Sequence, residues 1–96
     1  MNIPKELKIG GHIFKVDLID RFKENLTDEA GSCCVSTCRI IINNKEEVVK
    51  SYQEEVFIHE IIEAILEMND IEVEHNVLST LSQGLYQVFQ DNGLLK

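Results

Sequence analysis

No run of about 18 apolar residues occurs in the chain, so no segment is expected to span a membrane. The opening Met1-Asn2-Ile3-Pro4-Lys5-Glu6 has no apolar stretch of the secretory type. Cytoplasmic residence is therefore the expectation. Basic residues are few, nine Lys and Arg against 17 Asp and Glu, which leaves a formal charge of -8. Phosphate contacts need cations in excess, so this balance argues against direct binding to nucleic acid. It favours divalent cations or a basic partner, including the role of an acidic mimic of DNA. The cysteines are also few: Cys33, Cys34 and Cys38 make an odd number crowded into six residues. Without a secretory signal this reads as reduced thiols and not as a disulfide framework. A metal-binding Cys pair would want a second pair, and none follows, so the three are expected to be small buried strand residues.

At 96 residues, 44% hydrophobic and 27% charged, the chain fits one folded domain over 1–96 with a single core. Leu7 to Asp17 reads as a hairpin turning at Gly10-Gly11, with His12 an exposed residue just after the turn. Arg21 to Gly31, broken by Asn25, Thr27, Asp28 and Gly31, reads as a loop or one irregular turn. Cys33 to Ile42 is rich in β-branched and small residues, ends at Asn43-Asn44 and predicts one strand or two short ones. These strands should close a small antiparallel sheet. Ser51-Tyr52-Gln53-Glu54 has the form of a capping box, predicting a helix from about Tyr52 to Met68 that stops at Asn69-Asp70. A second helix is expected to open at His75-Asn76 and end at Asp91-Asn92-Gly93. Val77, Leu78, Leu81, Leu85, Val88 and Phe89 would form its packing face, with Gly84 at a close helix contact. The expected class is α+β, a small sheet from the N-terminal half packed on two helices.

The chemistry is concentrated in Phe57-Ile58-His59-Glu60-Ile61-Ile62-Glu63-Ala64-Ile65, a His-Glu-x-x-Glu sequence inside an apolar helical run. Residues advance by about 100° on a helix, so His59 and Glu63 stand one turn apart and roughly 40° from each other. An imidazole and a carboxylate so placed can grip one divalent metal. Glu60, directly after the first ligand, can reach a water on that metal, as in the His-Glu-x-x-His helix of zinc peptidases. His75, twelve residues beyond Glu63, can return the nitrogen donor that Glu63 displaces, giving a two-His, one-Glu set. An amphipathic helix would carry the same residues on its wet side. Val56 and Leu66, projecting into or beside the polar arc, favour a pocket wall. Tyr52 and Tyr86 are assigned to packing.

Ile9-Gly10-Gly11-His12 with Val16, the His59 to Ala64 motif, His75 and the closing Gly84-Leu85-Tyr86-Gln87-Val88-Phe89-Gln90-Asp91-Asn92 resemble small zincin-like proteins of phages and prophages. These are minimal relatives of the ImmA/IrrE-type and SprT-type metallopeptidases. The resemblance implies His59, Glu63 and His75 as metal ligands, Glu60 as catalytic base, zinc or another divalent transition metal as cofactor, and a protein or peptide as substrate. The departure at Glu63 adds negative charge, which weakens the metal as a Lewis acid. The alternatives are a catalytically inactive protein stapled by the metal and a metal-free acidic regulatory or interaction protein.

Overall fold

The computed structural model describes residues 1–24, 27 and 29–94. Strand β1 (Glu6–Ile9) turns into β2 (His12–Ile19), and β3 (Gly31–Cys34) into β4 (Arg39–Asn43); helices α1 (Lys50–Met68) and α2 (His75–Asp91) follow. The first hairpin is as expected, with Leu7 opposite Phe14 and His12 exposed just after the turn. Gly10 has φ of 62°, a left-handed conformation that glycine enters without a Cβ penalty.

The strands form one sheet in the order β1-β2-β4-β3. The β1–β2 and β3–β4 pairings are antiparallel, in line with expectation, but β2 and β4 run parallel, with Val16 beside Ile40 and Leu18 beside Ile42. The sheet is mixed, which corrects the antiparallel reading. The cause is the 20–30 connection, which carries the chain past the neighbouring position to the far edge. Strand β3 returns there, and β4 then fills the gap beside β2 in the same direction as β2. Part of that connection is a turn in which the Asp20 Oδ1 accepts from the Phe22 and Lys23 amides, both at 3.1 Å. Asn25, Leu26 and Asp28 of the expected loop lie outside the described residues.

Strand alternation sends Phe14 and Val16, Ile40 and Ile42 to one face of the sheet, where they share a core with Val56, Phe57 and Ala64 of α1. Helix α1 begins before the expected capping box. Its N-cap is Val49 without a side-chain cap, while Gln53 Nε2 donates to the Val48 carbonyl at 3.0 Å. Ser51 is thus already inside the helix. The helix ends at Met68, with Asn69 as its C-cap and Asp70 at φ of 53°.

Helix α2 has the expected bounds but is rotated by roughly a quarter turn, so that Leu78 and the half-buried Phe89 of the expected face point inward and the rest do not. Leu78 is buried, but Val77, Leu81, Leu85 and Val88 stay exposed, while Ser82 is 1% exposed. His75, Ser82 and Tyr86 are instead the face turned to α1. Tyr86 donates its hydroxyl proton to the Glu54 Oε1 at 2.6 Å, and the His75 ring meets that of His59. These polar contacts hold the helix in a rotation that leaves its apolar stripe open. Gly84 makes no close helix contact, since a Cβ built there meets nothing within 4 Å. Among the described residues no helix is long and apolar enough to cross a membrane.

Candidate metal centre

His59 and Glu63 lie in the interior of α1, one turn apart, with His59 Nε2 3.8 Å from the Glu63 Oε2. The connector between the helices is short, so His75, the first residue of α2, folds back over them. Its ring centre is 5.4 Å from that of His59, with the planes tilted by 59°. Two imidazoles on one tetrahedral ion, with metal–nitrogen bonds of about 2.0–2.1 Å, have ring centres about 5 Å apart. The observed spacing is close to that. His59 is half-buried and His75 exposed, with a 3.3 Å contact between His75 Nε2 and Ser79 Oγ. Burial pushes the His59 pKa down, with the nearby His75 adding to the effect and Glu63 opposing it. A neutral imidazole is the form that ligates a metal. The three residues expected as ligands therefore line one cleft, but among the described residues the donor atoms that converge within 4.8 Å are those of Cys33, Glu60 and Glu63, not those of His59, Glu63 and His75.

The cleft has a volume of about 510 Å³ and is walled by Tyr52, Val56, His59, Glu60, Glu63 and His75, with Gly31 at its strand side. Val56 occupies the wall position expected of it, whereas Leu66 lines a neighbouring depression beside Ile71 and Val73. Neither tyrosine is a plain packing residue: Tyr52 is 47% exposed at the cleft wall, and Tyr86 tethers α2 to Glu54.

Glu60 is 4% exposed, and its Oε1 has no hydrogen-bond partner among the described residues. Burial, then the charge and hydrogen bond of Glu63, push its pKa up to about 8, while the Arg21 guanidinium opposes the rise. A carboxyl group poised near neutrality is suited to exchange a proton. Gly31 of β3 makes this placement possible, because a Cβ there would stand 2.6 Å from Val56 Cγ1 and 3.2 Å from the Glu60 Oε2.

Sequence reasoning missed Arg21, a charged residue in a polar loop segment. It is buried; its Nη1 donates to Ser32 Oγ at 2.9 Å and its Nη2 to Thr27 Oγ1 at 3.3 Å. The Glu29 Oε2 is 4.0 Å from Nη2, and the backbone amide of Arg21 donates to the Asn43 Oδ1 at 3.4 Å. No local sequence signal marks it, since its burial depends on loop and edge strand meeting.

Cys33 was also missed. Cys33 and Cys38 are half-buried and Cys34 is exposed, so the expectation of small buried strand residues fails; all three are free thiols. The strand containing Cys33 is a sheet edge beside α1, where one side chain faces the helix and the next faces outward. Donor atoms of Cys33, Glu60 and Glu63 all lie within 4.8 Å of one another. The Cys33 thiol also approaches the Glu67 Oε2 at 3.8 Å. Burial first, then the charges of Glu60, Glu63 and Glu67, push its pKa up to about 12.

The donor types are ones a divalent ion takes: two neighbouring imidazoles, a carboxylate beside one of them, a thiol and two carboxylates whose donor atoms lie within 4.8 Å of one another, and a buried carboxylate oxygen with no partner among the described residues. Crowded anions and orphaned acceptors are stabilised by a cation. Compared with family models, curated proteins and solved structures, the chain finds no match in any of the three.

Proposed function

We propose that the protein is a metal-dependent peptide hydrolase of the zincin-like type, holding zinc or a comparable divalent transition metal through His59, Glu63 and His75. The observation that carries this reading is the approach of the His59 and His75 rings to 5.4 Å in the cleft that Glu60, buried and with one unpartnered carboxylate oxygen, also lines. A bound divalent ion supplies Lewis acidity and an activated water. Glu60 holds the proton-transfer position: it is adjacent to the first ligand, shielded from bulk solvent, and has one free oxygen. As a carboxylate beside a divalent ion it can accept a proton from the activated water and return it to a leaving amine. The nearby Arg21 guanidinium also favours its ionised form. The cleft is open on its Tyr52 and His75 sides, which are exposed, so a protein or peptide chain can enter there. The proposed setting is the cytoplasm of a host cell, where free thiols persist.

The acid crowding around Cys33, Glu60 and Glu63 favours a second reading, in which the ion staples α1 to the sheet edge without catalysis. Glu60→Gln separates the two. Under the hydrolase reading this variant loses about 100-fold or more of its activity on an unfolded protein substrate while keeping its zinc. Zinc-loaded wild-type protein with no activity above that of the variant rejects the hydrolase and leaves the staple.

A further inference from the structure

Strand β3 and helix α2 each pack on α1 and not on each other, so the cleft has two flanks. His75 lines the α2 flank; on the β3 flank Gly31 lines the cleft, and Cys33, two residues on, lies beside Glu60 and Glu63. Glu63 serves both: it is 3.8 Å from His59, and its carboxylate is within 4.8 Å of the Cys33 sulfur. A tetrahedral ion with a metal–sulfur bond of about 2.3 Å and a metal–oxygen bond of about 2.0 Å sets those two donors about 3.5 Å apart. Side-chain rotation covers that difference. A second observation points to a ligand at the same place. Glu60, 4% exposed and with one carboxylate oxygen unpartnered, belongs to this cluster. The carboxylates of Glu60, Glu63 and Glu67 crowd the Cys33 thiol, and the Arg21 guanidinium offsets only part of that charge, at Glu60.

We propose that Cys33 supplies a thiolate donor to the metal centre from its place beside Glu60 and Glu63, with Glu63 as the ligand shared with the histidine side, so that the site selects a thiophilic divalent ion over magnesium or calcium. The inference rests on reading the cleft as a metal centre and adds to it the sulfur and the metal class that sulfur selects. On binding, the thiol proton leaves to solvent as the metal–sulfur bond forms. Cys34, exposed, and Cys38, in the turn at φ of 52°, take no part.

The test is titration of the full, metal-free chain with Co(II), followed by near-ultraviolet absorption. A sulfur-to-cobalt charge-transfer band is expected in wild-type protein, retained in Cys34→Ser and Cys38→Ser and absent in Cys33→Ser, whose cobalt affinity falls on the order of tenfold or more. Should Cys33→Ser fail to fold, alkylation of wild-type protein answers the same question, with cobalt protecting Cys33 and leaving Cys34 open to reagent. Cobalt bound without the band, or with Cys33 unprotected, overturns this inference and leaves the histidine-ligated centre standing. No cobalt bound at all overturns both.

Discussion

Glu60 and Arg21 set the electrostatic balance of the cleft: a buried acid short of partners, with a buried guanidinium in its field. Arg21 donates to Ser32 and Thr27, so Arg21→Met removes buried hydrogen bonds and is expected to cost about 1–3 kcal/mol of folding stability in urea denaturation. Added to Glu60→Gln, the same change should cost measurably less, because the carboxyl group whose charge Arg21 favours is gone. Strictly additive losses would show that the two groups do not interact. Glu60 was legible because helical spacing alone puts it beside His59 and Glu63. Arg21 and Cys33 were not, because both owe their positions to the loop and edge strand closing onto α1, and local pattern carries no trace of that closure.

The two helices are joined at their far ends by side chains of unlike kind, His75 over His59 and Tyr86 on Glu54. Glu54 is buried, so Tyr86→Phe deprives an enclosed carboxylate of its hydroxyl donor and should cost about 1.5–3 kcal/mol. The Glu54 hydrogen bond, with burial and the Glu54 charge, pushes the Tyr86 pKa from 10 up to about 12. Below pH 10 the phenol is protonated in both states and the bond contributes fully. Between 10 and 12 the unfolded chain sheds its proton first, so the folded state loses that contribution as pH rises. The gap in Tm between wild type and Tyr86→Phe should accordingly narrow above pH 10; a constant gap would contradict the assigned bond. Element existence was readable from hydrophobic period and turn residues, as the Gly10-Gly11 hairpin and the Asn69-Asp70 stop show. The rotation of α2 was not readable: its apolar stripe argued for one face, whereas His75, Ser82 and Tyr86 turn another inward. The parallel seating of β4 beside β2 escaped for a related reason, since it is decided by where the 20–30 connection delivers β3.

At the scale of the whole molecule, the sheet and α1 enclose one apolar core that includes Phe14 and Phe57, α2 packs on α1, and the acidic character of the chain is gathered partly into one cleft. His59, Glu60, Glu63 and His75 line that cleft from the two helices, and Cys33 of β3 lies beside Glu60 and Glu63. In an acidic chain with a charge of -8, a divalent cation stabilises such a cluster, and its removal by chelator removes that stabilisation. The most direct test is elemental analysis of full-length protein purified without chelator or affinity tag, with His59→Ala prepared in parallel. About one zinc-class ion per chain in the wild type, largely lost together with thermal stability in His59→Ala, is the predicted result. A metal-free wild-type protein, or a His59→Ala protein with unchanged metal content and Tm, would contradict it.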